Sequence, residues 1–301
     1  MKIYAYNAGK GDCVRVEINS FNIFIDTGVT RFGETFRSIC NDIISSGGSL
    51  DLLILTHVDD DHIGGILHLL RLGLKCPFKE VRMNADAQVS VNSPLSTAQN
   101  NEVYKRLADQ GVTVLPMMAG TEIKVDEAKI RTLWPKTFYV QGTRTNAPLA
   151  YQRDYGKSLS SLASAPIRST DNSVNNRNSI IFTLSVSDHH FLFTGDAWGS
   201  DIIESLGEST VREFDLVKLP HHGAVGNLTE EFPNHFSSRN FLICTDGRMH
   251  PDKQTIAKLM SWYGDVNIYS PADWWSRGFF TEDDNKTRLN LIHKEGLILE
   301  I

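Results

Sequence analysis

Leu55-Thr56-His57-Val58-Asp59-Asp60-Asp61-His62-Ile63-Gly64-Gly65, LTHVDDDHIGG, sets two histidines and three aspartates into six positions directly behind an apolar run. Adjacent carboxylates repel one another. A merely solvated acidic turn would need neither imidazoles at both ends nor a Gly-Gly behind it. The preceding run, Leu52 to Leu55, is continuous and apolar, as in a strand buried on both faces, and Ile63 to Leu72 has the pattern of a helix stopped by Gly73. The polar cluster is therefore expected in the loop where a central strand ends, its side chains converging beyond the sheet edge. Helix capping accounts for Asp61 alone. Imidazole and carboxylate together suit a divalent cation such as zinc, manganese or iron, whose charge relieves the repulsion. The ligand candidates here are His57, Asp59, Asp61 and His62, with Asp60 turned outward.

On either side, β-rich and helical segments alternate. Lys2 to Tyr6, Cys13 to Ile18 and Phe21 to Ile25 read as an antiparallel meander, followed by a helix over Glu34 to Ser45. Beyond the motif, strands are expected at Val81 to Met83, Lys129 to Leu133, Ser179 to Ser185, His190 to Thr194, Leu216 to Leu219, Phe241 to Cys244, Val266 to Tyr269 and Leu297 to Ile301. Helices are expected at Thr97 to Gln110, Ser200 to Leu206 and Lys253 to Met260. Between Pro135 and Asn178 the periodicity fades into a Ser- and Asn-rich stretch, read as a long surface loop of the kind that borders active sites. Both halves carry strands and helices with no clear linker, which favours an α/β fold of two packed sheets with helices outside.

Composition narrows the function without choosing it. The chain has 301 residues, 41% hydrophobic and 22% charged, enough for one large core or two small ones. Its net charge of -6 argues against a broad basic surface for duplex DNA but permits a local site where metal ions meet phosphate. Cys13, Cys40, Cys76 and Cys244 form no CxxC pair, so they are expected to be reduced core residues rather than a disulfide framework or thiolate zinc site. No stretch approaches the ~20 apolar residues of a membrane span, and the opening MKIYAYNAGKGD alternates like a strand rather than a leader, so a cytoplasmic location with no membrane contact is expected.

The motif resembles the HxHxDHxGG signature of the metallo-β-lactamase fold, with Asp59 in place of the second histidine. The same departure, HxDxDHxGG, typifies the branch containing the soluble ComEC-type domain of DNA-uptake proteins. Other segments agree in order: NAGKGDCVRV, FIDTG, NRNSIIFTL with FLFTGD, VKLPHHG and TDGRMHPDKQTIAKL, so that the resemblance runs from Asn7 to Leu259. It implies a single metallo-β-lactamase-like αββα sandwich over 1–301, with the Ser/Asn-rich insertion at about 135–178, and a centre of two divalent metal ions, Zn or Mn, at one edge.

Residue by residue, the resemblance makes Asp196 the carboxylate between the metals and His222 the late histidine ligand. His221 either supports the ligands or helps protonate a leaving group, and the order of the two histidines stays open. Asp26 would hold the ligand loop through hydrogen bonds. His250 either reaches the site from the loop before Pro251 or packs, and His189 and His190 read as turn residues. Where many relatives carry a third histidine, this chain offers Asn175, Asn176, Asn178 and Ser179, so one metal position is expected to be held by fewer ligands. Asp59, Asp61 and Asp196 set three negative charges against four positive from two divalent ions, leaving +1 where a two-aspartate site keeps +2. That shifts preference toward manganese and raises the pKa of bound water.

Paired cations suit anionic diesters, because they clamp both attacking and leaving oxygens. The expected activity is a binuclear metal-dependent hydrolase, a phosphodiesterase or nuclease acting on DNA or another nucleotide diester through a metal-bound hydroxide, with Asp61, Asp196 and His221 taking part in the chemistry. The same fold hosts hydrolases of phosphocholine esters, lactones and thioesters, and could also persist as a non-catalytic partner-binding module, which the intact ligand set argues against. Trp134, Tyr139, Trp198, Trp262, Trp274 and Trp275 are expected in the core before any role in stacking bases. Arg144, Arg153 and Arg168 are placed to touch phosphate or to remain solvated loop charges. No residue identifies a protein partner, although a defence or toxin system is one setting, and the oligomeric state is not written in the sequence.

Overall fold

The computed structural model describes residues 1–84, 95–139, 153–168, 170–207 and 209–301. Fifteen strands are described: β1 (Lys2–Ala5), β2 (Val14–Ile18), β3 (Phe21–Ile25), β4 (Leu52–Leu55), β5 (Glu80–Met83), β6 (Thr113–Leu115), β7 (Glu122–Val125), β8 (Ala128–Trp134), β9 (Ile181–Val186), β10 (His189–Phe193), β11 (Leu216–Lys218), β12 (Asn240–Leu242), β13 (Val266–Ser270), β14 (Leu289–His293) and β15 (Gly296–Glu300). They form a seven-stranded sheet in the order β15-β1-β2-β3-β4-β5-β6 and an eight-stranded sheet in the order β14-β13-β12-β11-β10-β9-β8-β7. Eight α-helices cover them: α1 (Gly33–Ser45), α2 (Asp60–Arg71), α3 (Leu95–Asp109), α4 (Leu159–Ser164), α5 (Val174–Arg177), α6 (Gly199–Gly207), α7 (Phe232–His235) and α8 (Lys253–Tyr263).

Side-chain alternation sorts the core into layers. Ile23, Ile25, Leu52 and Ile54 of the first sheet meet Phe182, Leu184, Phe191, Phe193 and Leu216 of the second in the central layer. Phe24, Leu53 and Leu55 face the other way, onto Phe36 of α1 and Ile63, Ile66 and Leu67 of α2. Leu192, Val217 and Phe241 pack outward beneath Ile202 of α6 and Ile256 and Leu259 of α8. The continuous apolar run LLIL is thus explained: both faces of β4 are buried. The result is the expected αββα sandwich. No helix among the described residues is long and apolar enough to cross a membrane. Cys13, Cys40 and Cys244 are buried free thiols, and Cys76 is half-buried.

Two expectations need correction. Helix α2 begins at Asp60, so Asp61 and His62 lie in its first turn instead of in the loop. The Asp59 carbonyl accepts from His62 N at 2.9 Å and Ile63 N at 3.1 Å, and acidic residues are favoured at that end of the helix dipole. The Ser/Asn-rich stretch is not a surface loop throughout. Its described part contains α4, whose Leu159 and Leu162 are buried with the α8 side of the core, and Ser158 caps it by accepting from Ser161 N. Two leucines three positions apart in a serine run suffice for a short amphipathic helix. Arg144 lies outside the described residues. Strands β6, β7 and β14 were not anticipated, being short or at the edge of a sheet.

The Gly-Gly of the motif has a steric cause. A Cβ on Gly64 would stand 2.1 Å from Thr30 N, and one on Gly65 2.2 Å from Thr27 O. Helix α2 therefore presses its bare backbone against the chain leaving β3. Exposed helical glycines usually gain about 1 kcal/mol on replacement by alanine. Here the sign reverses: Gly64→Ala is expected to lower unfolding stability by about 3 kcal/mol, read from a urea midpoint, because the opposing atoms are backbone and cannot yield. An unchanged midpoint would mean that this packing is looser than described.

Candidate metal centre

Strands β3, β4, β10 and β11 end at the same edge of the sandwich, and each delivers polar residues there: Asp26 after β3, His57 after β4, Asp196 after β10, and His221 and His222 after β11. Asp196 is 2% exposed and stands at the middle. Its Oδ2 lies 3.3 Å from His62 Nε2, 3.5 Å from His222 Nε2, 3.8 Å from His57 Nε2 and 3.8 Å from His221 Nε2. His57 Nε2 is 3.9 Å from Asp59 Oδ2, and His222 Nε2 is 3.7 Å from Asp61 Oδ2. Ligands at ~2.1 Å from a tetrahedral ion stand roughly 3.4 Å apart, so these are the separations that a shared cation requires.

Every imidazole is turned the same way. His62 Nδ1 meets Asp26 Oδ2 at 2.7 Å, while Asp26 also accepts from Thr56 N and Thr56 Oγ1, both at 2.7 Å. His222 Nδ1 meets Asp12 Oδ1 and the Cys244 carbonyl, both at 3.0 Å. His57 Nδ1 meets Thr56 Oγ1 at 3.2 Å, and His221 Nδ1 meets Asn227 Oδ1 at 2.9 Å. These acceptors assign the proton to Nδ1 and aim the Nε2 lone pairs inward. His57 Nε2, His62 Nε2, His222 Nε2 and Asp196 Oδ1 are buried with no hydrogen-bond partner among the described residues. Buried polar atoms left unmatched are costly, and converging nitrogen and oxygen donors are the ligands that Zn or Mn takes. The residues present therefore fit divalent cations.

Asp12, His62, Asp196 and His222 offer ligand atoms that all lie within 4.8 Å of one another. Around this set Asp61 meets His222, and Asp59 meets His57, which also faces Asp196. His221 and His222 both have left-handed backbone, φ 47° and 56°, a conformation that costs of order 1–3 kcal/mol per residue and is kept where a site over-determines it. His221 is the more open, its side chain 29% exposed. His250 does approach, its ring 5.1 Å from that of His221. His189 lies away from the centre, paired with Asp215 at 3.1 Å, and Asp60 instead accepts from Thr30 Oγ1.

Several supporting residues escaped the sequence reading. Asp12, in the β1–β2 turn, is tied to the motif because its amide donates to the Asp61 carbonyl, and a Cβ on Gly11 would stand 2.0 Å from that oxygen. Lys218, 3% exposed, makes an ion pair with Asp12, donates to the Gly195 carbonyl at 2.8 Å and stands 3.6 Å from Asp196 Oδ1. A lysine inside the apolar run LVKLP was the signal available. The asparagines in place of a third histidine serve as props: Asn175 Nδ2 donates to Asp59 Oδ1 at 2.8 Å, and Asn176 Nδ2 to Asp171 Oδ2 at 2.6 Å. Asp171 in turn stands 3.5 Å behind His221 Nδ1. Asp12 and Asp26 add two negative charges around these donors, and Lys10 and Lys218 two positive ones.

Without cations the cluster holds protons instead. Burial opposes charge on His62, yet Asp196 and Asp26 raise it well above its ordinary value. Burial likewise opposes His222, but Asp196 and Asp12 bring it to about 10. His57 is lowered, by burial and then by the neighbouring His62. Asp196 is held well below the carboxylate range, since His222, His62 and His221 outweigh its burial. A proton on His222 thus stabilises the metal-free chain fully below its ordinary 6.5, and that contribution is lost as pH rises through about 10. Metal uptake at pH 7 is accordingly expected to release about two protons per chain, measured by calorimetry in buffers of different ionisation enthalpy, and apparent affinity should rise with pH. Uptake without proton release would contradict this arrangement.

Residues 6–81 match the family described as the Metallo-beta-lactamase superfamily. The chain is 22% identical over 219 residues to ComE operon protein 3 of Bacillus subtilis (strain 168), covering 70% of this chain and 22% of that protein. It thus spans about a fifth of that relative's length. Among solved structures, the metallo-beta-lactamase fold protein YhfI from Bacillus subtilis aligns over 89% of this chain and 96% of its own, at 11% identity and a TM-score of 0.50. With two sheets in this order, helices on both outer faces and the motif at the end of β4, the chain has the metallo-β-lactamase fold, and its sequence resembles the ComEC-type branch.

Proposed function

We propose that the chain is a phosphodiester hydrolase working with two divalent cations, Zn or Mn. One position would be held by Asp61, His62, His222 and Asp196, the other by His57, Asp59 and Asp196. The observation that carries this reading is the convergence of four Nε2 atoms on one oxygen of Asp196, at 3.3 to 3.8 Å. The second position would then have three protein ligands, the number that leaves a catalytic ion open to substrate. Bound divalent cations would supply charge to the attacking and leaving oxygens of an in-line displacement.

The chain's own groups complete the site. The cavity above Asp196 measures ≈ 120 Å³ and is bordered by Lys10, Asp59, His221, Thr245 and His250. A cavity bordered by an ammonium and two imidazoles would suit a phosphoryl group. In the metal-free chain burial opposes charge on His221, but Asp196 and Asp171 raise it above its ordinary value. It is the group that would protonate the leaving oxygen. Lys10 Nζ, 2.9 Å from Asp61 Oδ2, sets a positive charge at the mouth. The test is parallel assay of bis(p-nitrophenyl) phosphate, a lactone and a thioester with Mn or Zn. Turnover of the diester supports the proposal; turnover of the lactone or thioester alone, or of none, overturns it.

A further inference from the structure

A second cavity, of ≈ 400 Å³, lies next to the metal centre and is lined by Gly9, Arg31, Phe32, Asp246, Arg248 and Arg277. The two linings adjoin twice along the chain, at Gly9–Lys10 and at Arg248–Met249. Arg31 Nη2 and Arg248 Nε both meet Asp246 Oδ2, at 3.3 and 3.2 Å, so one carboxylate sets two guanidinium groups side by side. A Cβ on Gly9 would stand 2.9 Å from Arg31 Nη2, so the bare loop is what lets that guanidinium lie against it. Arg277 has no ion pair or hydrogen bond among the described residues and is exposed. Arg153 joins the same rim, donating from Nη2 to the Arg248 carbonyl at 2.7 Å. Besides Asp246, one carboxylate stands at the edge: Glu295 accepts from Asn7 N at 3.3 Å.

Four arginines against two carboxylates is a local excess on a chain whose net charge is -6, so it is not the background of a basic protein. Guanidinium forks match phosphate oxygens, and this set opens beside a centre suited to a phosphoryl group. The two linings meet at Gly9–Lys10 and at Arg248–Met249, so a strand bound at the metal centre would run past the arginines. We propose that the arginine pocket is a subsite for a second phosphate of a single nucleic-acid strand whose scissile phosphate occupies the metal centre. The proposal rests on the phosphodiester reading of that centre.

The test is a triple variant, Arg31→Gln with Arg248→Gln and Arg277→Gln, beside Arg277→Gln alone, which breaks no ion pair. Fluorescence anisotropy of a labelled oligothymidylate is measured across salt concentrations, and bis(p-nitrophenyl) phosphate turnover is measured in parallel. The expected result is at least a tenfold loss of oligonucleotide affinity in the triple variant and a smaller loss in the single one. The salt slope should become shallower by about 0.7, the value for one phosphate contact on a single strand, while small-diester kcat/KM stays within about twofold. Unchanged oligonucleotide binding, or an equal fall in small-diester turnover, overturns the subsite. If the unsubstituted protein turns over no diester yet the arginine variants still lose oligonucleotide binding, the subsite stands and the hydrolase reading falls.

Discussion

Asp196→Ala is expected to lower diester turnover by on the order of 10³-fold or more, and to reduce bound metal from two ions per chain to at most one. The reason is positional. Asp196 Oδ2 is the only carboxylate oxygen within 4.0 Å of all four inward Nε2 atoms among the described residues, while Oδ1 turns toward Lys218 at 3.6 Å. One oxygen is thus presented to the donors of both proposed positions, and removing it separates them. Asp196→Asn keeps the shape without the charge and should lose nearly as much, which distinguishes electrostatic holding from packing. Metal content by elemental mass spectrometry and turnover of bis(p-nitrophenyl) phosphate decide the matter. If either variant retains two ions and turnover within tenfold, Asp196 is not the shared ligand.

What sequence could show of this site follows from distance along the chain. His57 and Asp59 before α2 and Asp61 and His62 in its first turn are close in sequence, so their crowding is visible in a window of six residues. Asp26 was legible only through the IDTG resemblance, and its function, accepting from Thr56 and His62, is a contact 30 and 36 residues away. Asp12 reaches His222 across 210 positions, and no local pattern marks such a pairing. What Asn175 and Asn176 do, holding Asp59 and Asp171, depends on α5 returning to the sheet edge, which no local pattern shows. The sandwich itself was readable because its signal is periodic: Leu52 to Leu55 needs two covered faces, and α1, α2 and α8 need a sheet to cover. Short edge strands and the Ser-rich helix α4 carry too few apolar positions to announce themselves.

Lys218→Met is expected to cost about 3–5 kcal/mol of unfolding stability at pH 7, because it removes the ammonium that does most to offset the buried Asp12 carboxylate. In β11 Leu216 points into the layer between the sheets and Val217 away from it, so alternation directs Lys218 toward the same interior as Leu216. Its ammonium is held there by the Gly195 carbonyl and by Asp12 and Asp196. Burial opposes its charge, yet Asp12 and Asp196 raise it above the ordinary lysine value. Asp12 answers in kind, since Lys218 and His222 hold it below the carboxylate range against its own burial. Adding Asp12→Asn to Lys218→Met should therefore recover about 2 kcal/mol, the coupling expected of a shared buried pair. The pH dependence has a definite sign. Asp12 stabilises the unsubstituted chain above its ordinary 3.8 and loses that contribution as pH falls through its lowered value. In Lys218→Met the carboxyl takes up a proton more readily, so acid relieves the variant while the parent keeps the Asp12 contribution, and urea midpoints of the two should converge between pH 7 and pH 4. A difference below about 1 kcal/mol at pH 7, or one that widens in acid, would mean that Asp12 is neutralised by some other group and that Lys218 is not the fixed cation of this centre.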